Sequence, residues 1–209
     1  MATPARRALE RAVIPLLLAT GNAGKVRELA EPLAAAGFAL QGLSDLGLAA
    51  DAPETGDSFR ENALEKARHC FARAAMAVLA EDSGLCVDAL GGAPGIHSAR
   101  YGAADGVMDD AGRNALLLCE LTSAPAPRAA HYRCALALVR SGREPLLVDG
   151  AVEGEILSAP RGGGGFGYDP LFWYSPAKKS FAELSREEKF SVSHRGNALR
   201  ALLAALRVG

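Results

Sequence analysis

Apolar and polar residues follow two different periods along this chain, and their alternation predicts its secondary structure. The run at 14–19 is almost continuously apolar, which is typical of a buried strand. Residues 25–36 repeat apolar side chains at helical spacing and stop before Gly37, so a helix is predicted there. A second strand is predicted at 38–43.

The next segments repeat this order of elements. A helix is predicted at about 58–74, because Ser58 and Glu61 have the spacing of a capping box. The apolar run at 76–80 predicts another buried strand. The polar sequence Glu81-Asp82-Ser83-Gly84 follows at once, and we expect it to lie beyond the carboxyl end of that strand.

The second half of the chain has longer apolar runs. Residues 88–106 are glycine-rich and irregular, and residues 109–121 look helical. The runs at 131–140 and 146–157 are joined by a short link, which predicts an antiparallel hairpin. A C-terminal helix is expected after Ser193. Helices that alternate with strands early, followed by a hairpin, predict an α/β fold with a mixed sheet.

The composition narrows the class of protein. About half of the 209 residues are apolar (49%), which suits one domain with a sizeable core. The formal net charge is −1 and the basic residues are scattered, which argues against a protein that binds polymeric nucleic acid. The four cysteines form no C-x-x-C pair, so we expect reduced thiols and a cytoplasmic location.

The N-terminal segment allows two interpretations. Arg6 and Arg7 precede an apolar run, as in a short secretion signal, but Pro15 interrupts that run and no small-residue cleavage site follows. We therefore expect a disordered leader at 1–12 and a single domain, of one or two lobes, at 13–209. No stretch reaches the roughly 18 apolar residues that a membrane helix needs, so no membrane partner is expected.

The loop Thr20-Gly-Asn-Ala-Gly-Lys25 joins the first strand to the first helix. A helix N-terminus leaves backbone N–H groups unpaired and carries partial positive charge, so such a loop can bind phosphate. Lys25 adds a full charge, and Thr20 and Asn22 can donate hydrogen bonds. The loop lacks the spacing of a Walker motif. A plain turn with a solvated lysine is the alternative.

The adjacent acids Glu81 and Asp82 form a second candidate site. Ligands of open α/β sheets bind beyond the carboxyl ends of strands, where a pair of carboxylates suits Mg²⁺ or a base that activates water. Because side chains alternate along a strand, one acid should face the site and the other should face away. The alternative is a polar turn with one capping acid.

Two later segments add aromatic and basic groups. Glycines at 162–165 allow a backbone to approach a ligand or to hinge, and the next residues are Phe166-Gly-Tyr-Asp169. Phe166 and Tyr168 could stack on a planar ring, and Asp169 could accept a base N–H. The alternative is a flexible loop whose aromatic residues lie in the core.

The start of the last helix carries Lys189, His194 and Arg195. His194 and Arg195 could hydrogen-bond a purine carbonyl or a phosphate, whereas the alternative is a solvated, charged helix entry. Taken together, the four segments supply a phosphate loop, a metal-binding acid, aromatic stacking and further cations. These are the parts of a nucleoside triphosphate site.

In their order along the chain, these segments resemble the inosine triphosphate pyrophosphatase family, in particular the bacterial XTP/dITP pyrophosphatases. One block alone would be weak support, but six in the family's order are strong. The matching blocks span about residues 14–208 and are Thr20–Lys25, Glu54–Gly56 with Phe59 and Glu61–Ala63, Asp82–Gly84, Gly91–Gly95 with Ser98–Tyr101, Gly165–Pro170, and Glu187–Lys189 with Ser193–Gly196.

The resemblance implies a homodimer with an elongated, two-lobed α/β fold, a mixed sheet flanked by helices, and an active-site cleft between the lobes. It implies Mg²⁺-dependent hydrolysis of ITP, dITP and XTP to the monophosphate and pyrophosphate. By resemblance, Asp82 binds the metal and accepts a proton, and we place Lys25 beside it as the catalytic cation. The implied substrate-binding residues are Thr20, Gly21, Asn22, Ala23, Gly24, Lys25, Ser83, Phe166, Gly167, Tyr168, Asp169, Lys189, His194 and Arg195.

One position departs from the family pattern. Family members often carry two consecutive acids before Thr-Gly, and the first helps to hold the metal, whereas Pro53 stands there in this chain. Glu54 is therefore the candidate second metal ligand, with Glu61, Glu81 or water as alternatives. The functional alternatives are a nucleotide-binding sensor without turnover and a pyrophosphatase for other modified nucleotides.

Overall fold

A mixed β-sheet organises the protein, whose computed structural model describes residues 13–107 and 109–208. The strand Ile14–Ala19 is parallel to both of its neighbours, Phe38–Gly42 and Ala77–Val87, and the remaining strand pairs are antiparallel. The predicted α/β class with a mixed sheet is confirmed, while the predicted leader at 1–12 lies outside the described residues. Within those residues the sheet has the order β2-β1-β3-β4-β5-β6-β7, with strands β1 (Ile14–Ala19), β2 (Phe38–Gly42), β3 (Ala77–Val87), β4 (Ala129–Val139), β5 (Leu146–Ile156), β6 (Phe172–Tyr174) and β7 (Lys179–Ser180).

The helices begin at polar caps that the sequence makes visible. Ser58 accepts a hydrogen bond from Glu61 N, as predicted, but the Glu61 carboxylate accepts from Asp57 N instead of closing the box. No helix of the described residues is both long and apolar enough to cross a membrane. The helices of this part of the chain are α1 (Ala23–Ala35), α2 (Phe59–Ala74), α3 (Asp110–Glu120), α4 (Arg186–Val192) and α5 (His194–Val208).

Helices cover both faces of the first half of the sheet. Along β1, Leu16 and Leu18 face α1 and α5, whereas Leu17 faces α2. A strand buried on both faces has no polar side, which explains the nearly continuous apolar run that predicted it. These two clusters of buried apolar side chains make up the core on this side of the molecule.

A third apolar cluster lies farther along the long strands. It joins Leu85 and Val87 of β3 to Leu117 of α3 and to the rings of Phe172 and Phe181. Between this cluster and the first two, the middle of β3 carries the polar residues 81–84. The polar segment is therefore flanked by packed core on both sides along the strand.

Candidate active site

A cavity of about 320 Å³ opens beside the middle of β3. Lys25 and Asp82 both line it, although they come from different elements. Ala23 and Gly24 are the only predicted site residues that do not. The predicted residues that do line it are Thr20, Gly21, Asn22, Lys25, Glu54, Asp82, Ser83, Phe166, Gly167, Tyr168, Asp169, Lys189, His194 and Arg195.

The polar residues of β3 lie inside the strand and not beyond it. The predicted end of the strand at Ala80 is wrong, because β3 continues to Val87 and pairs with β4 throughout. Asp82 lines the cavity, whereas Glu81 points to the other face and receives hydrogen bonds from Arg195. Strand pairing can continue through two acids because each carboxylate has a cationic partner.

The loop before α1 caps its own helix more completely than expected. Asn22 Oδ1 accepts hydrogen bonds from Gly24 N (2.9 Å) and Lys25 N (3.2 Å). Thr20 Oγ1 accepts one from Asn22 N at 3.1 Å. The N–H groups of Gly24 and Lys25, which we expected to be unpaired and available to phosphate, therefore already donate to the side chain of Asn22. The full charge of Lys25, whose Nζ lies 3.4 Å from Glu81 Oε1, becomes the main attraction for an anion.

The acid Asp82 lies beside an ammonium group that is absent from the predicted site. Lys66 of α2 places Nζ 3.1 Å from Asp82 Oδ1 and 2.7 Å from Glu54 Oε1. Asn62, one turn earlier, donates to Asp82 Oδ2 at 3.3 Å. The four-residue spacing of Asn62 and Lys66 places them on one helix face. That spacing does not reveal which strand the face will meet.

The two carboxylates that share Lys66 differ in basicity. Burial raises the pKa of the Asp82 carboxyl, and the Lys66 ammonium offsets only part of this effect. Burial acts on Glu54 in the same direction, but hydrogen bonds from Lys66 and Arg100 outweigh it and lower the pKa of Glu54 to about 2. Asp82 is therefore the better proton acceptor, and Glu54 stays ionised.

At the other end of the cavity, two cations are buried among carboxylates. Arg195 donates to Glu81 through Nε and Nη2, both at 2.8 Å, and to Glu28 through Nη1. Lys189 Nζ lies 2.7 Å from Glu28 Oε1 and 2.5 Å from Asp169 Oδ2. Both cations are held within the protein, so their positions do not depend on a ligand.

Glu28 joins these two cations and was missed at the level of sequence. Its signal is an acid on the buried face of α1, beside Leu29 and Leu33. On the same network, burial alone would raise the pKa of Glu81. The Arg195 guanidinium and the Lys25 ammonium outweigh burial and hold that pKa well below its usual value. Glu81 is therefore ionised and paired with its cations.

His194 begins α5 and lies almost completely buried. Its ring stacks on Tyr132 with the centroids 4.7 Å apart. Burial, with the neighbouring Arg195 cation, holds the pKa of His194 well below its usual value, so the ring is neutral at pH 7. His194 lines the cavity, and its Nδ1 has no hydrogen-bond partner among the described residues. A neutral imidazole can offer a ligand one donor or one acceptor.

The ring of Phe166 connects the glycine-rich segment to α1. A Cβ atom on Gly24 would lie 2.7 Å from Phe166 Cδ1, so a glycine is needed beneath the ring. Lys189 Nζ lies 4.7 Å from the ring centroid, and Phe166 N donates to Asp169 Oδ2 at 2.9 Å. Gly24 thus contributes to the site by shape, although it does not line the cavity.

Other members of this segment have roles that differ from the expectation. The ring of Tyr168 packs in the third apolar cluster, and its hydroxyl donates to Ser98 O at 2.9 Å, which leaves little freedom to stack on a ligand. Asp169 Oδ2 already accepts from Phe166 N and Lys189. The glycine run is also fixed, because Gly164 N donates to Ala182 O at 3.0 Å.

The residues of the cavity fit a magnesium ion that arrives with a phosphate ligand. Glu54 and Asp82 converge on one positive charge, the Lys66 ammonium. The described residues contain no group of three or more His, Cys, Asp or Glu side chains able to hold a metal. Mg²⁺ usually takes one or two carboxylates and completes its shell with water and phosphate oxygens. Two acids therefore suffice despite Pro53.

Residues 16–205 match the model of the Ham1 family. The chain is 48% identical over 188 residues to the dITP/XTP pyrophosphatase of Geobacillus kaustophilus, which covers 90% of this chain and 91% of that one. It is also 47% identical over 196 residues to the dITP/XTP pyrophosphatase of Escherichia coli. That match covers 93% of this chain and 98% of the Escherichia coli protein.

Solved structures give the same match in three dimensions. A HAM1 protein from Coxiella burnetii has a TM-score of 0.84 at 37% identity. The match covers 94% of this chain and 100% of the Coxiella chain. A nucleoside-triphosphatase, or dITP/XTP pyrophosphatase, from Mycobacterium abscessus has a TM-score of 0.72 at 44% identity, with 91% and 99% covered. The matched region of the family model includes all the residues that line the cavity.

Proposed function

Because the chain belongs to the Ham1 family, we propose that it hydrolyses the non-standard purine nucleoside triphosphates dITP, XTP and ITP to the monophosphate and pyrophosphate. The main support in the structure is one cavity shared by Lys25 and Asp82. Cations lie next to the loop before α1, and an aromatic ring lies near the buried base-binding groups. The cavity thus offers partners for both parts of a nucleotide.

The triphosphate would bind at the end of the cavity that contains Lys25 and Lys66. Both ammonium groups line the cavity and are paired with acids of the chain. Phosphate oxygens would replace part of these contacts and so would be bound by charge-assisted hydrogen bonds. Thr20, Gly21 and Asn22 form the adjacent wall, Ala23 begins α1 behind it, and Gly24 N stabilises the wall by donating to Asn22.

Asp82 would act as the proton acceptor for water that attacks the α-phosphorus, with pyrophosphate as the leaving group. Before a metal ion binds, its raised pKa makes it a stronger base than a solvated aspartate. Asn62 and Lys66 each bind one of its oxygens and so fix the orientation of the carboxylate. Lys25 would stabilise the negative charge that develops on the phosphate oxygens.

The acids Asp82 and Glu54 would hold Mg²⁺ through their carboxylate oxygens. When bound, the ion neutralises phosphate charge and makes water more acidic. Glu54 is suited to this role, because its pKa of about 2 keeps it anionic throughout the physiological range. Removal of metal with EDTA should abolish pyrophosphate release, and added MgCl₂ should restore it. Undiminished release in EDTA would contradict a magnesium requirement.

Selection of a purine with a 6-oxygen would depend on donors near α5. Arg195 uses four of its five guanidinium N–H groups within the protein, which leaves one for a ligand. Neutral His194 could supply a second donor, and Phe166 could stack on the base. An amino group at position 6, as in ATP, would leave these buried donors unpaired, which discriminates by about 10⁴-fold or more.

A nucleotide panel tests the function. The purified protein is incubated with Mg²⁺ and each of ITP, dITP, XTP, ATP, GTP and modified or methylated nucleoside triphosphates, and pyrophosphate release is measured. We expect ITP, dITP and XTP to be preferred by orders of magnitude over ATP. Equal rates on ATP and ITP would refute the base pocket. Preference for another nucleotide, or binding without pyrophosphate release, would establish one of the two alternatives named above.

We also propose a homodimer in the cytoplasm that binds neither polymeric nucleic acid nor membranes. The resemblance to the family supports the dimer, and four free cysteines suit a reducing compartment. Light scattering of the purified protein tests the dimer. A mass equal to one chain across the micromolar range would contradict it.

A further inference from the structure

Both backbone polar groups of Gly167 are bound by the first turns of α3. Gly167 N donates to Asp110 Oδ2 at 2.6 Å, and Gly167 O accepts from Asn114 Nδ2 at 3.1 Å. Asp110 and Asn114 are four residues apart and therefore lie on one face of the helix. We call this pair of contacts the loop clamp.

The two clamp residues are themselves placed for this purpose. The second carboxylate oxygen of Asp110 accepts from Arg113 Nη2 at 2.5 Å, so its orientation is fixed. Asn114 is buried, and its Oδ1 has no partner among the described residues. A buried acceptor without a partner is destabilising. The remaining polar contact of the Asn114 amide, with Gly167, therefore gives a reason for this residue type at a buried position.

The clamp completes the support of Phe166. On one side, Asp169 Oδ2 accepts from Phe166 N. On the other side, Gly167 has a φ of +62°, in the left-handed region, and is held by the clamp. The backbone is thus fixed on both sides of the residue whose ring lies against Gly24.

We propose that Asp110 and Asn114 are positioning residues for the base of the nucleotide, acting through Gly167 on the ring of Phe166. The inference rests on the proposed function, because it assumes that the base binds against this ring. Asp110 also lines the cavity, so a direct contact with the nucleotide is the competing explanation, which the double variant below tests. Loss of the clamp should weaken binding of the base and leave binding of the phosphates unchanged.

Binding measured by calorimetry separates these two effects. In Asp110→Ala, we expect the Kd for inosine monophosphate to rise by about tenfold, because a charge-assisted hydrogen bond that orders the loop is lost. The Kd for pyrophosphate, which has no base, should stay the same. Asp110→Asn retains an oxygen that can accept from Gly167 N, so it should recover most of the lost affinity. Equal weakening of both ligands would overturn the proposal.

A neighbouring acid provides the matched control. Asp109 caps α3 by accepting from Gly112 N at 2.7 Å and does not contact Gly167. Asp109→Ala should therefore destabilise α3 without changing the Kd for inosine monophosphate. If Asp109→Ala weakens binding as much as Asp110→Ala does, the effect comes from helix stability and the proposal fails.

A double variant tests whether the effect passes through the aromatic ring. In a Phe166→Ala background, Asp110→Ala should not weaken binding of inosine monophosphate further, because the ring that the clamp positions is absent. Losses that add in the double variant would contradict the proposal. Wild-type protein that binds inosine monophosphate but releases no pyrophosphate from ITP would refute the proposed hydrolysis alone. Wild-type protein that fails to bind the monophosphate would refute the clamp's role.

Discussion

The proposed function divides the cavity into a phosphate end, at Lys25 and Lys66, and a base end, at Lys189, His194 and Arg195, and the two ends use the same residue types in different ways. At the phosphate end, Glu54 and Asp82 share one ammonium, that of Lys66, and line the cavity. At the base end, Arg195 and Lys189 are paired with Glu28, Glu81 and Asp169 in the interior. The first arrangement holds its acids at the edge of the cavity, where a ligand can replace their protein partners, whereas the second encloses its charges in the interior.

Burial explains the difference between the ends. Removing ions from water is costly, and a buried ion pair is often no more stabilising than apolar side chains of the same volume. The base-end network is therefore better explained by the shape and charge pattern that it gives to the pocket than by stability. The phosphate end keeps acids whose protonation and ligands can change, as catalysis requires.

The largest effect should come from the proton acceptor at the phosphate end. Asp82→Asn is nearly isosteric and removes the base, so turnover of ITP should fall by about 10²- to 10⁴-fold. Steady-state pyrophosphate release measures this. The fold should survive, because the amide oxygen can still accept from Lys66 and only the hydrogen bond from Asn62 is lost; urea unfolding checks it.

The control for this change is an acid away from the cavity. Asp149 lies on the surface in an ion pair with Arg60, so Asp149→Asn should leave turnover unchanged. Near-normal activity of Asp82→Asn would exclude Asp82 as the central acid. The phosphate end would then differ from the base end only in its exposure.

Replacing one cation at each end tests the comparison through stability. Arg195→Met leaves Glu81 and Glu28 short of a partner in the interior, so the free energy of unfolding should fall by about 3–5 kcal/mol. Lys66→Met frees Asp82 and Glu54 at the cavity, where water or protonation can compensate, so its effect should be smaller. Urea unfolding of both variants measures this, and equal losses would contradict the difference between the ends.

The sequence predicted the groups of the site better than their partners. The loop at 20–25, Asp82 and the cations near α5 were recognisable because short motifs carry them. Lys66 and Glu28 were missed, since helical spacing defines a face but not the element against which it packs. The end of β3 was misplaced for the same reason. We ended the predicted strand before Glu81 and Asp82, because the cations that neutralise these acids are distant in sequence.

A smaller effect should follow from a methyl group beneath the aromatic ring. Gly24→Ala places a Cβ 2.7 Å from Phe166 Cδ1, so the ring must shift. Overpacking of this kind lowers the free energy of unfolding by about 1–3 kcal/mol. Because the displaced ring would contact the base less well, we expect KM for ITP to rise by about tenfold with little change in kcat.

Another glycine of the same region provides the control for this substitution. A Cβ on Gly163 would meet nothing within 4 Å, so Gly163→Ala should leave both constants unchanged. If Gly24→Ala also leaves KM unchanged, Phe166 does not contribute to base binding. The contact between the Phe166 ring and Gly24 would then only pack the ring against α1 and would not help to bind the base.

The smallest effect is a pH dependence at the base end, where His194 is held neutral. Its pKa lies well below the ordinary value of about 6.5 that it regains on unfolding. Below pH 6.5 the unfolded chain therefore binds a proton that the folded ring does not, and stability is lost as the pH falls. The free energy of unfolding should fall by up to about 1.4 kcal/mol for each pH unit below 6.5. Urea unfolding between pH 5 and 7 should show a flatter profile of unfolding free energy against pH for His194→Gln than for the wild type.

The control is a histidine outside the cavity. His97→Gln, at an exposed position, should keep the wild-type slope. Parallel profiles for wild type and His194→Gln would mean that the ring becomes charged in the folded state, and the base end would then be open to water in the same way as the phosphate end.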